Sequence, residues 1–214
     1  MVPEVPASGA ERMSEASAPR TRLRATDSKH RLFAASMELI GARGHQDVSV
    51  DEIARAAGVS KGTVYYNFGS KNDLIGELLN YGIAILFERL EAGTTAPDPD
   101  TGLRLMVSES LEFIAEYPAF SQLWISEQWQ SDSHWAGALE QTRHDVIGVV
   151  RGALQRLAET RPNPPADALP DLDALATALF GATLILGRDR QVFHPERSIA
   201  DCVGAAMAFT APLR

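Results

Sequence analysis

The stretch that decides the fold runs from Ser49 to Leu74, SVDEIARAAGVSKGTVYYNFGSKNDL. It reads as two short helices joined by a tight turn, followed at once by the start of a third helix. Ser49 and Glu52 form a capping box that opens the first helix. Ile53, Ala54 and Ala57 give that helix an apolar face. Gly58 supplies the residue that can leave a helix with positive φ, and Val59 plugs the turn. Ser60 is an N-cap for the second short helix, which runs through Tyr66. Gly69 and Ser70 end the unit and cap the next helix. This is a helix-turn-helix whose recognition helix is the second short helix.

At 214 residues the chain suits one large or two small domains around a sizeable core. The net charge is −8, but its distribution says more. Residues 20–71 hold 9 Lys and Arg against 5 Asp and Glu, while residues 72–214 hold 10 against 20. A basic N-terminal part on an acidic body fits a protein that touches nucleic acid with one end. Cys202 is the only cysteine, which excludes a disulfide framework and a cysteine metal site and fits a reducing compartment. The first residues lack the apolar core of a signal peptide. The uncharged stretch from Ala174 to Gly187 is too short for a bilayer, which needs about 20 residues. A cytoplasmic protein without a membrane span is expected.

Residues 1–25, rich in Ala, Pro, Ser, Glu and Arg, read as a disordered tail. Arg20, Arg22 and Arg24 close it, either as an arm that reaches DNA or as a solvated tail. The DNA-binding unit then covers residues 26–70 and a second helical domain covers residues 71–214. The first helix is expected from about Asp27 to Ala42, with Leu32, Ala35, Leu39 and Ile40 as its core stripe. A longer helix starts near Lys71 and reaches about Glu91, apolar on both sides and so shared between the domains. Gly93 to Gly102, GTTAPDPDTG, reads as a linker. Helices follow over Leu103–Glu116, Ala119–Gln130 and Trp135–Glu159. A break comes at Arg161 to Pro170, and two last helices are expected over Asp171–Leu186 and Ser198–Phe209. The fold class is therefore all-α.

The DNA-binding unit resembles the TetR family of bacterial repressors. The resemblance spans Arg31 to Leu74, about a fifth of the chain. It rests on Ala34 and Ala35, Gly44, Ile53-Ala54, Gly58-Val59-Ser60, Gly62, Tyr65, Phe68, Lys71 and Leu74 in order. The resemblance implies roles for single residues. Lys61 and Gly62 would start the recognition helix in the major groove, with Lys61 able to donate to guanine O6 or N7. Gly62 would let the backbone approach DNA closely. Thr63, Tyr65 and Asn67 match phosphate-holding positions, and Tyr66 matches one that packs on a base edge or thymine methyl. Ser49 and Lys71 match phosphate anchors at two helix N-termini, where the dipole favours an anion. Asn67 stands where the family often has His; it still donates but carries no charge. An alternative for Tyr65 or Tyr66 is packing within the small domain.

In the second domain, Phe113, Tyr117, Phe120, Trp124, Trp129, Trp135 and Phe180 form an aromatic set. It is either an ordinary helical core or the wall of an apolar pocket. On the pocket reading, Phe113, Tyr117, Phe120, Trp124, Glu127, Trp129, His144 and Phe180 contact a small-molecule effector. Small residues crowd the last two helices, and the resemblance implies that Ala178, Gly181, Ala182, Ala205 and Ala208 meet a two-fold mate in a four-helix seam. The five histidines show no metal spacing, and neither a phosphate loop nor a nucleophile elbow is present. No catalytic residue, metal or cofactor is expected. The expected function is a homodimeric repressor that binds a palindromic operator on double-stranded DNA and is released by a small hydrophobic or amphipathic effector. A DNA-binding dimer without an effector, and an enzyme using the aromatic pocket, are the alternatives.

Overall fold

The computed structural model describes residues 18–128, 134–160 and 170–213. These form α1 (Ala18–Arg43), α2 (Val50–Ala56), α3 (Lys61–Phe68), α4 (Lys71–Thr95), α5 (Pro99–Glu116), α6 (Pro118–Gln128), α7 (Ala136–Glu159), α8 (Leu172–Val192) and α9 (Ile199–Met207). A short 3-10 helix, Ala208–Leu213, follows α9. No strand occurs among the described residues, and none of their helices is long and apolar enough to cross a membrane.

The N-terminal unit follows its local signals. Ser49 caps α2, and its capping box with Glu52 is complete. Ser60 caps α3 and Ser70 caps α4, each accepting from a backbone N–H three residues on. Such caps are each worth about 1 kcal/mol. Gly58 leaves α2 at φ 66° and Gly69 leaves α3 at φ 76°, a region that L side chains enter only with strain. Phe33, Ile53, Leu74 and Ile75 are fully buried between the four helices.

Four expectations on element bounds need correction. The first helix opens at Ala18, well before Asp27, so residues 18–25 are helical and not part of a disordered tail. Ala, Leu and Arg favour the helix that Asp27 was expected to begin. Arg20, Arg22 and Arg24 therefore lie on helical backbone, and residues 1–17 are outside the described part. The expected linker over Gly93–Gly102 shrinks to residues 96–98, because α4 continues to Thr95 and Pro99 starts α5 behind its N-cap Asp98. Its glycines are contact points. A Cβ on Gly93 would fall 2.6 Å from the Gly102 carbonyl oxygen, and one on Gly102 would fall 2.5 Å from the Gly93 carbonyl oxygen. The Arg156 guanidinium, from α7, donates to the carbonyls of Gly93 and Thr94 at the end of α4, where a cation also meets the helix dipole. The third difference is α8, which runs on to Val192. The fourth is the last helix, which turns 3-10 at Ala208. The expected break over Arg161–Pro170 lies outside the described residues but for Pro170.

Two apolar clusters result. One joins α1, α2, α3 and the first half of α4 to Phe113, Phe120, Leu123, Trp124 and Trp135. The other fills the space between the end of α4, α5, α7, α8 and α9. The first cluster crosses the boundary expected at residues 70 and 71, so the small unit sits on α6 and is not hung from α4 alone.

Candidate nucleic-acid interface and ligand cavity

The recognition helix presents its side chains outward. Tyr66 is 91% exposed and Tyr65 44% exposed, while Val64 just before them is buried in the small core. The packing alternative therefore fails for Tyr66 and holds only in part for Tyr65. Lys61 Nζ lies 2.7 Å from Asp51 Oδ2 of α2 and 5.8 Å from the centre of the Tyr65 ring. The Asp51 carboxylate raises the Lys61 pKa. Several expected phosphate donors are engaged locally. The Ser49 hydroxyl donates to Glu52, the Thr63 and Ser60 hydroxyls share a 2.6 Å hydrogen bond, and Asn67 Nδ2 donates to the Thr63 carbonyl. Lys71 Nζ donates to the Gln46 carbonyl at 3.2 Å. Hydrogen bonds from the Ser49 hydroxyl and backbone N–H, with the Arg43 guanidinium, hold the Glu52 carboxyl down at about 2. Around Gly62 a Cβ would meet only Ser60 Oγ, at 3.9 Å. Sequence reasoning missed Asp51; its signal was an acid at the start of the helix facing Lys61.

Above this unit, α4, α5, α6, α7 and α8 enclose a cavity, of which about 60 Å³ is open to the centre of a water molecule. Phe113, Phe120, Trp124 and Phe180 line it, as expected on the pocket reading, together with aliphatic residues such as Leu86 and Leu179. No charged side chain lines it; its polar residues are Ser110, Ser121 and Thr183. Three other expected ligand contacts are elsewhere. Tyr117 packs against Phe33 and Phe113, with ring centres 5.2 and 5.1 Å away. Burial and the nearby Glu116 carboxylate raise its pKa. Glu127 is 3% exposed and its carboxylate turns away from the cavity to His45 Nδ1, 3.8 Å off. It sits near the end of α6, beside the small unit. His144 is exposed on α7. Trp129 falls outside the described residues.

The cavity wall is also part of the small unit's packing. Phe120 lines the cavity and its ring centre is 6.3 Å from that of Phe33 on α1. The same ring presses on α4 at Gly82, where a Cβ would lie 2.5 Å from Phe120 Cε2. A second junction lies at the start of α7. There the Trp135 indole N–H donates to the Asn72 carbonyl of α4 at 3.0 Å, and its ring meets His45 edge-on.

The small residues of α8, α9 and the 3-10 helix divide into two sets. Ala176, Gly187 and Ala206 are buried, and a Cβ on Gly187 would strike Ile114 of α5. Ala178, Gly181 and Ala182 are half-buried, and Ala205 and Ala208 are exposed. Gly181 and Gly204 have open space around them. Ile185 on α8 and Phe209 on the 3-10 helix are also exposed.

Comparison with known proteins agrees with this architecture. Residues 32–78 match the family described as "Bacterial regulatory proteins, tetR family". The transcriptional regulator SrpR of Pseudomonas putida is 36% identical over 62 residues, covering 29% of this chain and 29% of that one. AcrR of Shigella flexneri is 31% identical over 97 residues, 44% of this chain and 45% of its own. The chain thus spans less than half the length of these curated relatives. Among solved structures, a putative fatty acid metabolism regulator of Clostridium perfringens superposes with TM-score 0.72 at 23% identity, covering 85% of this chain and 97% of that one. FadR of Bacillus subtilis, in complex with stearoyl-CoA, gives 0.69 at 19% identity, covering 86% and 96%. These structures share the fold. The helix-turn-helix unit on an all-α body is the architecture that these solved structures and this chain have in common. Within residues 32–78 the chain carries the helix-turn-helix unit of the tetR family.

Proposed function

We propose that the protein is a homodimeric transcriptional repressor that binds a palindromic operator and is released by a small hydrophobic or amphipathic effector. The observation that carries the reading is the double placement of Phe120, one ring forming both the cavity wall and the seat of the DNA-binding unit on Gly82 and Phe33. The free volume is small, so an effector must push its walls apart. A wall that moves carries α4, and with it α3, away from the spacing that two half-sites require. The outward small-residue faces of α8 and α9 supply the dimer seam. Ser49, Lys61, Gly62, Thr63, Tyr65, Tyr66, Asn67 and Lys71 form the DNA face. Gly62 supports this: nothing within the chain demands a glycine there, and a helical glycine costs about 0.5–1 kcal/mol. Acyl thioesters are the first effectors to try, since a structural neighbour holds stearoyl-CoA.

The test is operator release. A fluorescent operator duplex is titrated with protein at rising concentrations of medium- and long-chain acyl-CoA, and anisotropy gives the affinity. A loss of about 5–150-fold, matched by an equal loss of effector affinity when DNA is bound, is expected for coupled sites. The small cavity favours one second reading, a DNA-binding dimer without an effector; it requires that no acyl-CoA or other apolar compound changes either the affinity or the melting temperature.

The Asp51–Lys61 pair yields a further expectation. Replacing Asp51 with Asn frees the Lys61 ammonium and removes an acid facing DNA. Affinity for random-sequence DNA should rise, and the plot of log affinity against log salt should steepen by about 0.9 per subunit as one more phosphate is neutralised. An unchanged slope would show that Lys61 does not reach the backbone when released.

A further inference from the structure

We propose that the indole N–H of Trp124 is the polar reader of the cavity, and that the cavity takes an uncharged apolar molecule bearing one hydrogen-bond acceptor, such as a ketone, ester or thioester carbonyl. The proposal deepens the ligand-responsive reading above and rests on it. Trp124 is 4% exposed and lines the cavity. Its Nε1 is buried and has no hydrogen-bond partner. Trp135, by contrast, has its Nε1 satisfied by the Asn72 carbonyl. A buried donor without an acceptor costs about 1–3 kcal/mol, and such a group in a folded protein calls for a reason. A phenylalanine would fill the same wall without that cost. A ligand carbonyl oxygen arriving in the cavity removes the cost and gains a bond in an environment where water does not compete.

The other polar groups narrow the ligand further. Ser110 donates its hydroxyl to the Met106 carbonyl at 2.8 Å, and Thr183 donates to the Leu179 carbonyl at 2.8 Å. Ser121 makes a longer bond, 3.4 Å, to the Tyr117 carbonyl. These hydroxyls present lone pairs, so they do not compete with Trp124 for an acceptor. Among the described residues, Ser36, Asp51 and Gln191 also carry a buried side-chain polar atom without a partner, and none of these residues lines the cavity. A carboxylate or ammonium lodged against this lining would lie unpaired, which is far more costly than burying a neutral carbonyl. The ligand's buried part is therefore neutral, and any charged group it carries stays outside.

The experiment compares two probes of equal length, methyl hexyl ketone and n-octane, on the full-length protein and on Trp124→Phe. Calorimetry should show that the substitution weakens the ketone about tenfold, equivalent to about 1.4 kcal/mol, while octane stays within about twofold. In the wild type, the Trp124 Nε1 proton resonance should move downfield with the ketone and stay in place with octane. This second readout decides the matter if the variant does not fold. Equal losses for both probes, or an indole proton that ignores the ketone, would overturn the reader and leave a purely apolar ligand cavity standing. Failure of both probes to bind the wild type would overturn the cavity reading as well.

Discussion

Gly181→Leu is expected to leave the helical fold intact and to abolish operator binding. No heavy atom lies within 4 Å of a Cβ at Gly181, so the chain accepts a larger residue there without internal strain. Open substitutions of this kind stay within about 0.5 kcal/mol for the isolated subunit. In the proposed dimer the same position faces the two-fold mate. A close-packed seam yields to a leucine only by separating. The variant should sediment as a monomer at micromolar concentration, with unchanged helical circular dichroism. Its operator affinity should fall at least about a hundredfold, because specific sites outbind non-specific DNA through two linked half-sites. A stable dimer would place the seam on another face.

The second large effect concerns folding. Gly93→Ala puts a methyl group 2.6 Å from the Gly102 carbonyl oxygen at the crossing of α4 and α5. Backbone cannot move aside as the end of a flexible side chain does. Overpacking of this kind costs about 1–3 kcal/mol, in a domain where each kcal/mol shifts the melting temperature by roughly 2–4 °C. A fall of about 4–10 °C is expected near the upper part of that range. Gly148→Ala on α7, where a Cβ meets nothing within 4 Å, serves as the control and should be neutral or stabilising by about 0.5–1 kcal/mol. Equal melting temperatures for the two variants would mean that α4 and α5 cross less closely.

These two glycines show what was legible in the sequence and what was not. The helix-turn-helix was readable because its signals are local. Ser49, Ser60 and Ser70 cap the helices they precede, and Gly58 and Gly69 take the positive φ that ends α2 and α3. Gly93 and Gly102 were misread as linker residues, because composition does not separate a glycine that breaks a helix from one that lets two helices touch. Nor could it separate Gly187, buried against Ile114, from Gly181, which faces outward. The same limit applies to the cavity. Spacing along α6 put Phe120, Trp124 and Glu127 near one face, and two of them do line the cavity. Glu127 does not, because it lies further along the helix, where its neighbour is His45 of the small unit. A helix face is visible in a sequence, but the partner that covers each turn of it is not.

The most direct test of the account is selection of binding sites from a random-sequence DNA library by the full-length wild type. Two inverted half-sites are expected, their centres one helical turn apart, ~34–36 Å, or a multiple of it. Gly181→Leu in the same selection should recover no such pair. Enrichment of one asymmetric half-site, or of no sequence at all, would contradict a dimeric operator-binding regulator.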